Sequence, residues 1–180
     1  VERWRKTKPK YLAPLFSWEL SKVKKYEQIV CRYFDACTII SEPDREAINV
    51  KYESDLIVVP NGVDTSFFTP IHKERRFDLI FNGNMNYPPN ITSAEFLVQK
   101  VLPIVRKQHP NVMLLLSGSS PHQRVKALAS ENVVVSGWID DIRENYAKSL
   151  INIAPMQISI GMQNKILEAM AMQMPCIASR

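Results

Sequence analysis

Residues 77–108, FDLIFNGNMNYPPNITSAEFLVQKVLPIVRKQ, decide the fold. They open on Phe77–Phe81, apolar apart from Asp78, break at Gly83, pass a Pro-Pro pair and continue into a long segment. A short apolar run bounded by turn residues reads as a strand covered on both faces, and the segment from Asn90 to Gln108 reads as a helix. Downstream the same unit returns. VMLLLSG (112–118) is a strand before a helix at 121–130, and NVVVSG (132–137) is a strand before a helix at about 141–149. INIAP (151–155) precedes the helix of GMQNKILEAM (161–170), and PCIAS (175–179) is a fifth strand. Strict alternation of strand and helix implies a parallel sheet with helices on both faces.

Upstream, Leu20, Val23, Tyr26, Ile29, Val30, Tyr33 and Phe34 recur at helical spacing between Ser17 and Phe34. CTIIS (37–41) is a short strand, and SEPDREAINV (41–50) starts a helix with Ser41 as N-cap and acids in its first turn. DLIVVP (55–60) is a strand, NGVD (61–64) a turn, and TSFFTPIHKERR (65–76) an aperiodic linker. The expected organisation is α/β with two pieces. Residues 1–63 form the later part of one sheet domain, 64–75 a hinge or linker, and 76–180 most of a second domain. The chain starts at Val1 and ends on a strand, so both domains are expected to be incomplete. Two such domains facing one another make a cleft, and in open α/β sheets the ligand lies beyond the C-terminal ends of the strands.

Of the 180 residues 46% are hydrophobic and 23% charged, an ordinary globular composition with enough apolar mass for a core. The net charge of +5 is unevenly placed: residues 1–32 hold nine Lys/Arg against three Glu, or +6, which leaves –1 for the rest. The head RWRKTKPK (3–10) reads as a solvated basic segment, with an anionic membrane surface as the alternative. Only Trp4 interleaves with these charges, so no base-stacking platform for nucleic acid is expected. No apolar run has the length of a membrane span. Cys31, Cys37 and Cys176 lack ligand spacing and read as filler in a reducing compartment. His72, His109 and His122 fit neither a triad nor a metal site, and the pair Asp140–Asp141 reads as a helix N-cap rather than a metal-binding acid pair.

Three strands end in glycine: Gly83, Gly118 and Gly137. Each alone is a tight turn; in register on one edge they admit a nucleotide to the backbone. On a helix beginning near Met162, residues Gly161, Asn164, Lys165 and Glu168 share one face, while Met162, Ile166, Leu167, Met170 and Ala171 bury the others. The helix start suits a diphosphate, and Glu168, about 10 Å along the axis, suits the vicinal hydroxyls of a ribose. A Glu168–Lys165 ion pair on a surface helix is the equal alternative by spacing alone.

VVPNGVDTSFFTP, FNGNMNYPPN, LLSGSSP, VVVSGWIDDIRENYAKS and IAPMQISIGMQNKILEAMAMQMPCIAS stand in the order found in family-4 retaining glycosyltransferases of the GT-B fold. YEQIVCRYFDACTIISEPD also resembles the end of that family's N-terminal domain, so the resemblance covers nearly the whole chain. It is nearest to a branch tied to bacterial exopolysaccharide systems. The resemblance implies two Rossmann-like domains and transfer of a sugar from a nucleotide-diphosphate donor, with retention and without a bound metal or other cofactor. It implies a glycan or lipid-linked acceptor and a cytoplasmic enzyme, with peripheral contact to the inner membrane surface. Donor contacts are expected at Gly83, Asn84, Gly118, Gly161, Met162, Gln163, Asn164, Lys165 and Glu168. Of the family's two glutamates seven residues apart, the second falls on Glu168, the ribose acid, and the first on Ile160, which has no carboxylate. The family's catalytic histidine belongs upstream of this chain. The basic residue that steadies the leaving diphosphate after the first strand of the second domain is missing near Gly83, and Lys165 is a candidate to replace it. Two alternatives stay open: a nucleotide-sugar epimerase of the same architecture, and a non-catalytic nucleotide-sugar-binding protein.

Overall fold

A computed structural model describes residues 13–30, 33–48, 56–156 and 162–179, in two compact units. Residues 1–61 and 160–162 group as one unit, and residues 62–159 and 163–180 as the other. The basic head, Cys31, Ile160 and Gly161 lie outside the described residues.

The first unit holds helix α1 (Ala13–Val30), strand β1 (Cys37–Ile39), helix α2 (Glu42–Ala47) and strand β2 (Leu56–Val58). β1 and β2 pair in parallel, with Thr38 opposite Ile57. Parallel neighbours need a crossover, and α2 supplies it. The Ser41 side chain accepts from the Asp44 backbone N–H at 3.3 Å, the expected N-cap. The α1 pattern predicts a helix to Phe34, but Phe34 lies outside it.

The second unit is a five-stranded parallel sheet: β3 (Phe77–Asn82), β4 (Leu114–Ser117), β5 (Val133–Gly137), β6 (Ser149–Ala154) and β7 (Cys176–Ala178). The spatial order is β5-β4-β3-β6-β7. The chain winds outward from β3 in one direction and then returns to start again on its other side at β6. The switch point, where such sheets open a crevice for a ligand, therefore lies between β3 and β6. All five strands stand where the apolar runs predict them. Their residues alternate between two cores. Leu79, Phe81, Leu114 and Leu116 pack with Ile91, Ala94, Leu97 and Val125 on one face. Ile80 and Leu115 pack with Tyr146, Ala169 and Met172 on the other. Burial on both faces is why β3 and β4 are continuous apolar runs; in β5 and β7 one face is open, with Val134 and Ile177 exposed.

The helices depart more from expectation. The long helix starts at Pro88 as α3 (Pro88–Phe96), widens into a π turn (Leu97–Val101), and ends as α4 (Leu102–Val105). Proline is well placed in a first turn, where its missing N–H is not needed. Pro103 cannot donate to the carbonyl four residues back, and the widened turn lies immediately before it. The next two helices are shorter than expected: α5 (Gln123–Lys126) and α6 (Ile142–Ala147). Asp141 is the N-cap of α6 and accepts from the Arg143 N–H at 3.0 Å.

Three further expectations are corrected. Neither Asn61 nor Gly62 takes a positive φ; the turn falls after them, where the Asp64 carboxylate accepts from the N–H groups of Ser66 and Phe67 at 2.9 and 3.1 Å. The stretch read as a linker packs Phe68 and Ile71 against the core around Ile80 and Tyr146. Helix α7 runs Asn164–Ala171, with Gln163 as its N-cap, not from Met162. Its buried residues are Lys165 and Ala169, whereas Met170 is 61% exposed and Met162 groups with the first unit. Ala169 is small enough to bring the helix close to the sheet, which turns Met170 outward.

Candidate functional site

The loops that follow β3, β4 and β5 are joined to one another at the C-terminal edge of the sheet. The Gly83 N–H donates to the Ser117 carbonyl at 3.0 Å, and the Gly118 N–H donates to the Gly137 carbonyl at 3.2 Å. The Met85 N–H reaches the Ser119 carbonyl at 3.0 Å, and Met85 itself is fully buried. Gly83, Gly118 and Gly137 all have positive φ, +156°, +140° and +71°. The strand-end glycines thus form one continuous ridge. Asn84 caps its first turn: its side chain accepts from the Asn86 N–H and its carbonyl from the Asn90 side-chain amide, both at 2.9 Å.

Lys165 reaches this ridge from α7. Its Nζ donates to Asn90 Oδ1 at 3.0 Å, lies 3.8 Å from Met156 Sδ and sits 4.6 Å above the centre of the Phe81 ring. A Cβ added at Gly83 would lie 3.2 Å from the same nitrogen. The lysine is 8% exposed, and among the described residues no carboxylate forms an ion pair with it. Burial pushes its pKa down to about 8, opposed by the charge of Glu168. An ammonium group held by an amide, a thioether and a ring face has unused capacity for an anion. The contacts place it beside the backbone of Gly83, at the switch point of the sheet.

Glu168 lies one turn further along α7 and is half-buried. Its Oε2 accepts from the Tyr146 hydroxyl at 2.9 Å. Tyr146, on α6, is fully buried, and its oxygen accepts from Asn82 Nδ2 at 3.1 Å. Burial, and then the Glu168 charge, raise the Tyr146 pKa, so the hydroxyl keeps its proton and donates. The surface Glu168–Lys165 ion pair is not formed: the two side chains from one helix face turn to different partners.

Of the expected donor contacts, Gly83, Asn84, Gly118, Lys165 and Glu168 come together in this unit. Gln163 and Asn164 start α7, half-buried and exposed respectively. Asn82, Asn90, Tyr146 and Met156 were not expected. The signal for Asn82 and Asn90 was a polar residue at the end of an apolar strand and after a Pro-Pro pair. Nothing local marks Tyr146 or Met156. Among the described residues no group of three or more His, Cys, Asp or Glu is placed to hold a metal ion, and no helix is long and apolar enough to cross a membrane.

Comparison with known proteins agrees with this architecture. Residues 76–180 match the family model described as glycosyl transferases group 1, and the chain belongs to that family. An uncharacterized 44.6 kDa protein in the cps region of Klebsiella pneumoniae is 25% identical over 188 residues, which is 89% of this chain and 46% of that protein. The chain therefore spans about half the length of the curated relative it matches. Among solved structures, TarM of S. aureus superposes with a TM-score of 0.69 at 16% identity, over 87% of this chain and 32% of TarM. Sucrose-phosphate synthase from Thermosynechococcus elongatus gives 0.68 at 20% identity, over 88% of this chain and 44% of that one. HepE from Anabaena, solved in complex with UDP and glucose, gives 0.64 at 16% identity, over 86% of this chain and 48% of that one. At these identities the likeness establishes the fold. The chain is α/β with parallel sheets of GT-B type and covers part of that fold.

Proposed function

We propose that the chain belongs to a family-4 retaining glycosyltransferase, and that residues 76–180 bind its nucleotide-diphosphate sugar donor. The observation that carries this reading is the position of Lys165. Breaking the anomeric bond puts negative charge on the departing diphosphate. A cation fixed beforehand where that charge develops stabilises the transition state without reorganising. The family's basic residue after the first strand of this domain is missing, yet the Lys165 ammonium lies against Gly83, at that strand's end. Glu168 then holds the ribose hydroxyls, and the backbone of Gly83, Asn84 and Gly118 admits the nucleotide. Gln163 and Asn164, at the start of α7, face the diphosphate in this reading.

The acceptor in this reading is a glycan or a lipid-linked sugar bound mainly by the other domain, whose catalytic histidine lies upstream. The reaction needs no metal ion. The location of the Klebsiella pneumoniae relative in a cps region supports a role in surface or exopolysaccharide synthesis; in this reading the enzyme works on the cytoplasmic side of the membrane. Lys165→Ala in the complete protein tests the reading. Donor affinity and turnover both fall if Lys165 meets the diphosphate; if neither changes, the reading is wrong. Ile160, in place of the family's first glutamate, favours a second reading as a non-catalytic nucleotide-sugar-binding protein. Tight donor binding with no transfer to any acceptor by the complete protein would select it.

A further inference from the structure

The hydrogen bonds around Tyr146 have only one consistent direction. The Glu168 carboxylate and the Lys165 carbonyl can only accept, and they lie 2.9 and 3.3 Å from the hydroxyl. Tyr146 has one proton to give, so the Asn82 amide at 3.1 Å must be its donor. The chain runs from Asn82 N–H to the Tyr146 hydroxyl to Glu168 Oε2, and crosses from β3 through α6 to α7. A buried tyrosine needs one acceptor, and a main-chain carbonyl would serve. Here the shorter bond goes to a half-buried carboxylate on a flexible side chain. Glu168 Oε1 accepts nothing among the described residues.

We propose that Tyr146, backed by Asn82, is a positioning residue that fixes the Glu168 carboxylate for the vicinal hydroxyls of the donor ribose, and so sets the preference for a ribonucleotide. This rests on the donor-binding reading of Glu168. A carboxylate has about four lone-pair directions. Tyr146 occupies one, which leaves Oε1 and the second lone pair of Oε2 for the two hydroxyls. Immobilising the side chain before binding removes an entropic cost that the ribose contacts would otherwise bear. The C-terminal end of β3 supplies the rigidity, because Asn82 pairs in register with the buried Ser117 of β4.

The test compares affinities of the complete protein for UDP, GDP and ADP, each against its 2′-deoxy counterpart. The native protein prefers the ribonucleotide by about tenfold or more, the value of one hydrogen bond to a charged group. Glu168→Gln loses most of that preference. Tyr146→Phe narrows it by about threefold or more, weakening the 2′-deoxynucleotide less than the ribonucleotide, because the deoxy sugar keeps only its 3′-hydroxyl contact with Glu168. Tyr146→Phe weakening both nucleotides by one factor, or keeping the full preference, overturns the proposal alone. If Glu168→Gln also keeps the preference, or if none of the six nucleotides binds the native protein, the donor-binding reading falls with it. Should Tyr146→Phe not fold, Asn82→Ala removes the donor behind the hydroxyl and must narrow the preference in the same direction; an unchanged preference there is equally fatal.

Discussion

The α-carbon of Gly118 rests on the carbonyl of Gly83, so closely that a side chain at Gly118 would overlap the carbonyl oxygen and carbon. Gly118 also has a φ of +140°, where side chains are rarely tolerated. The neighbour here is backbone at the end of β3, with no rotamer to move aside. Gly118→Ala is expected to destabilise the protein by about 3 kcal/mol or more, in the range of severe backbone clashes. Gly137→Ala meets open space and only the strain of φ +71°, and should cost about 1–2 kcal/mol. Urea unfolding midpoints of the two variants measure the difference. A ridge whose strands end in interchangeable turns would give equal losses.

Lys165 gives the protein a pH dependence of unusual sign. Its pKa falls from 10.5 in the unfolded chain to about 8 in the fold, so between these values the unfolded chain binds the extra proton. Stability then rises with pH across that window, and the cost of burying the charge is complete below about 8. The fall from 10.5 to about 8 corresponds to ~3 kcal/mol at most. Lys165→Met should be more stable than the native protein at pH 7, with the gap closing toward pH 10. Binding runs the other way. If the diphosphate takes the ammonium form, affinity for a nucleoside diphosphate falls about tenfold per pH unit above about 8 in the native protein and stays flat in Lys165→Met. The groups around the ammonium other than Glu168 are Asn90, Met156 and Phe81, which do not titrate.

The Asp140–Asp141 pair tests cap against metal. Asp141 accepts from the Arg143 N–H and from its guanidinium, which holds the carboxylate below its ordinary pKa. Among the described residues Asp140 accepts only from the Trp138 indole N–H, at 3.2 Å. Asp141→Ala should cost about 1 kcal/mol, the usual value of an N-cap, and Asp140→Ala less than about 0.5 kcal/mol. The cap's contribution is present above the ordinary carboxylate pKa and lost as pH falls through the depressed one. Thermal melts at neutral and acidic pH would show it. Equal losses for the two variants would argue against a cap.

How much of this was legible follows from what each feature depends on. The five strands were readable because Leu79–Phe81, Leu114–Leu116 and Val133–Val135 are short apolar runs bounded by turn residues, although only the first two are covered on both faces and Val134 is exposed. Helix lengths were not: a helix from Pro121 to Ser130 needs a buried stripe, and only Val125 is buried in α5. Glu168 and Lys165 were legible as polar residues on an apolar helix, but their partners were not. Tyr146 meets Glu168 only because α6 and α7 cover the same face of the sheet, and Asn82 is linked to Glu168 only through the Tyr146 hydroxyl. Lys165 reaches Asn90 only because the β3–β6 switch brings two loops together. The Asn61–Gly62 turn was misplaced because Asp64 competes for the same reversal through its own carboxylate.

Asn90 determines how available the Lys165 charge is. Its Oδ1 accepts from the ammonium at 3.0 Å while its Nδ2 donates to the Asn84 carbonyl at 2.9 Å, so one neutral side chain ties α3 to the ridge and aims the lysine. Asn90→Asp keeps the shape and places a negative charge on Lys165. A buried ion pair favours the charged lysine, so the pKa of about 8 should move up and the rise in stability above pH 8 should shrink. The paired ammonium would then give up one partner to take another. Affinity for a nucleoside diphosphate should fall by about tenfold or more, since a carboxylate beside a diphosphate is repulsive as well as competing. Calorimetric titration with UDP, GDP and ADP across pH 7 to 10 measures both effects. If Asn90→Asp binds these ligands as well as the native protein does, the ammonium does not face the diphosphate.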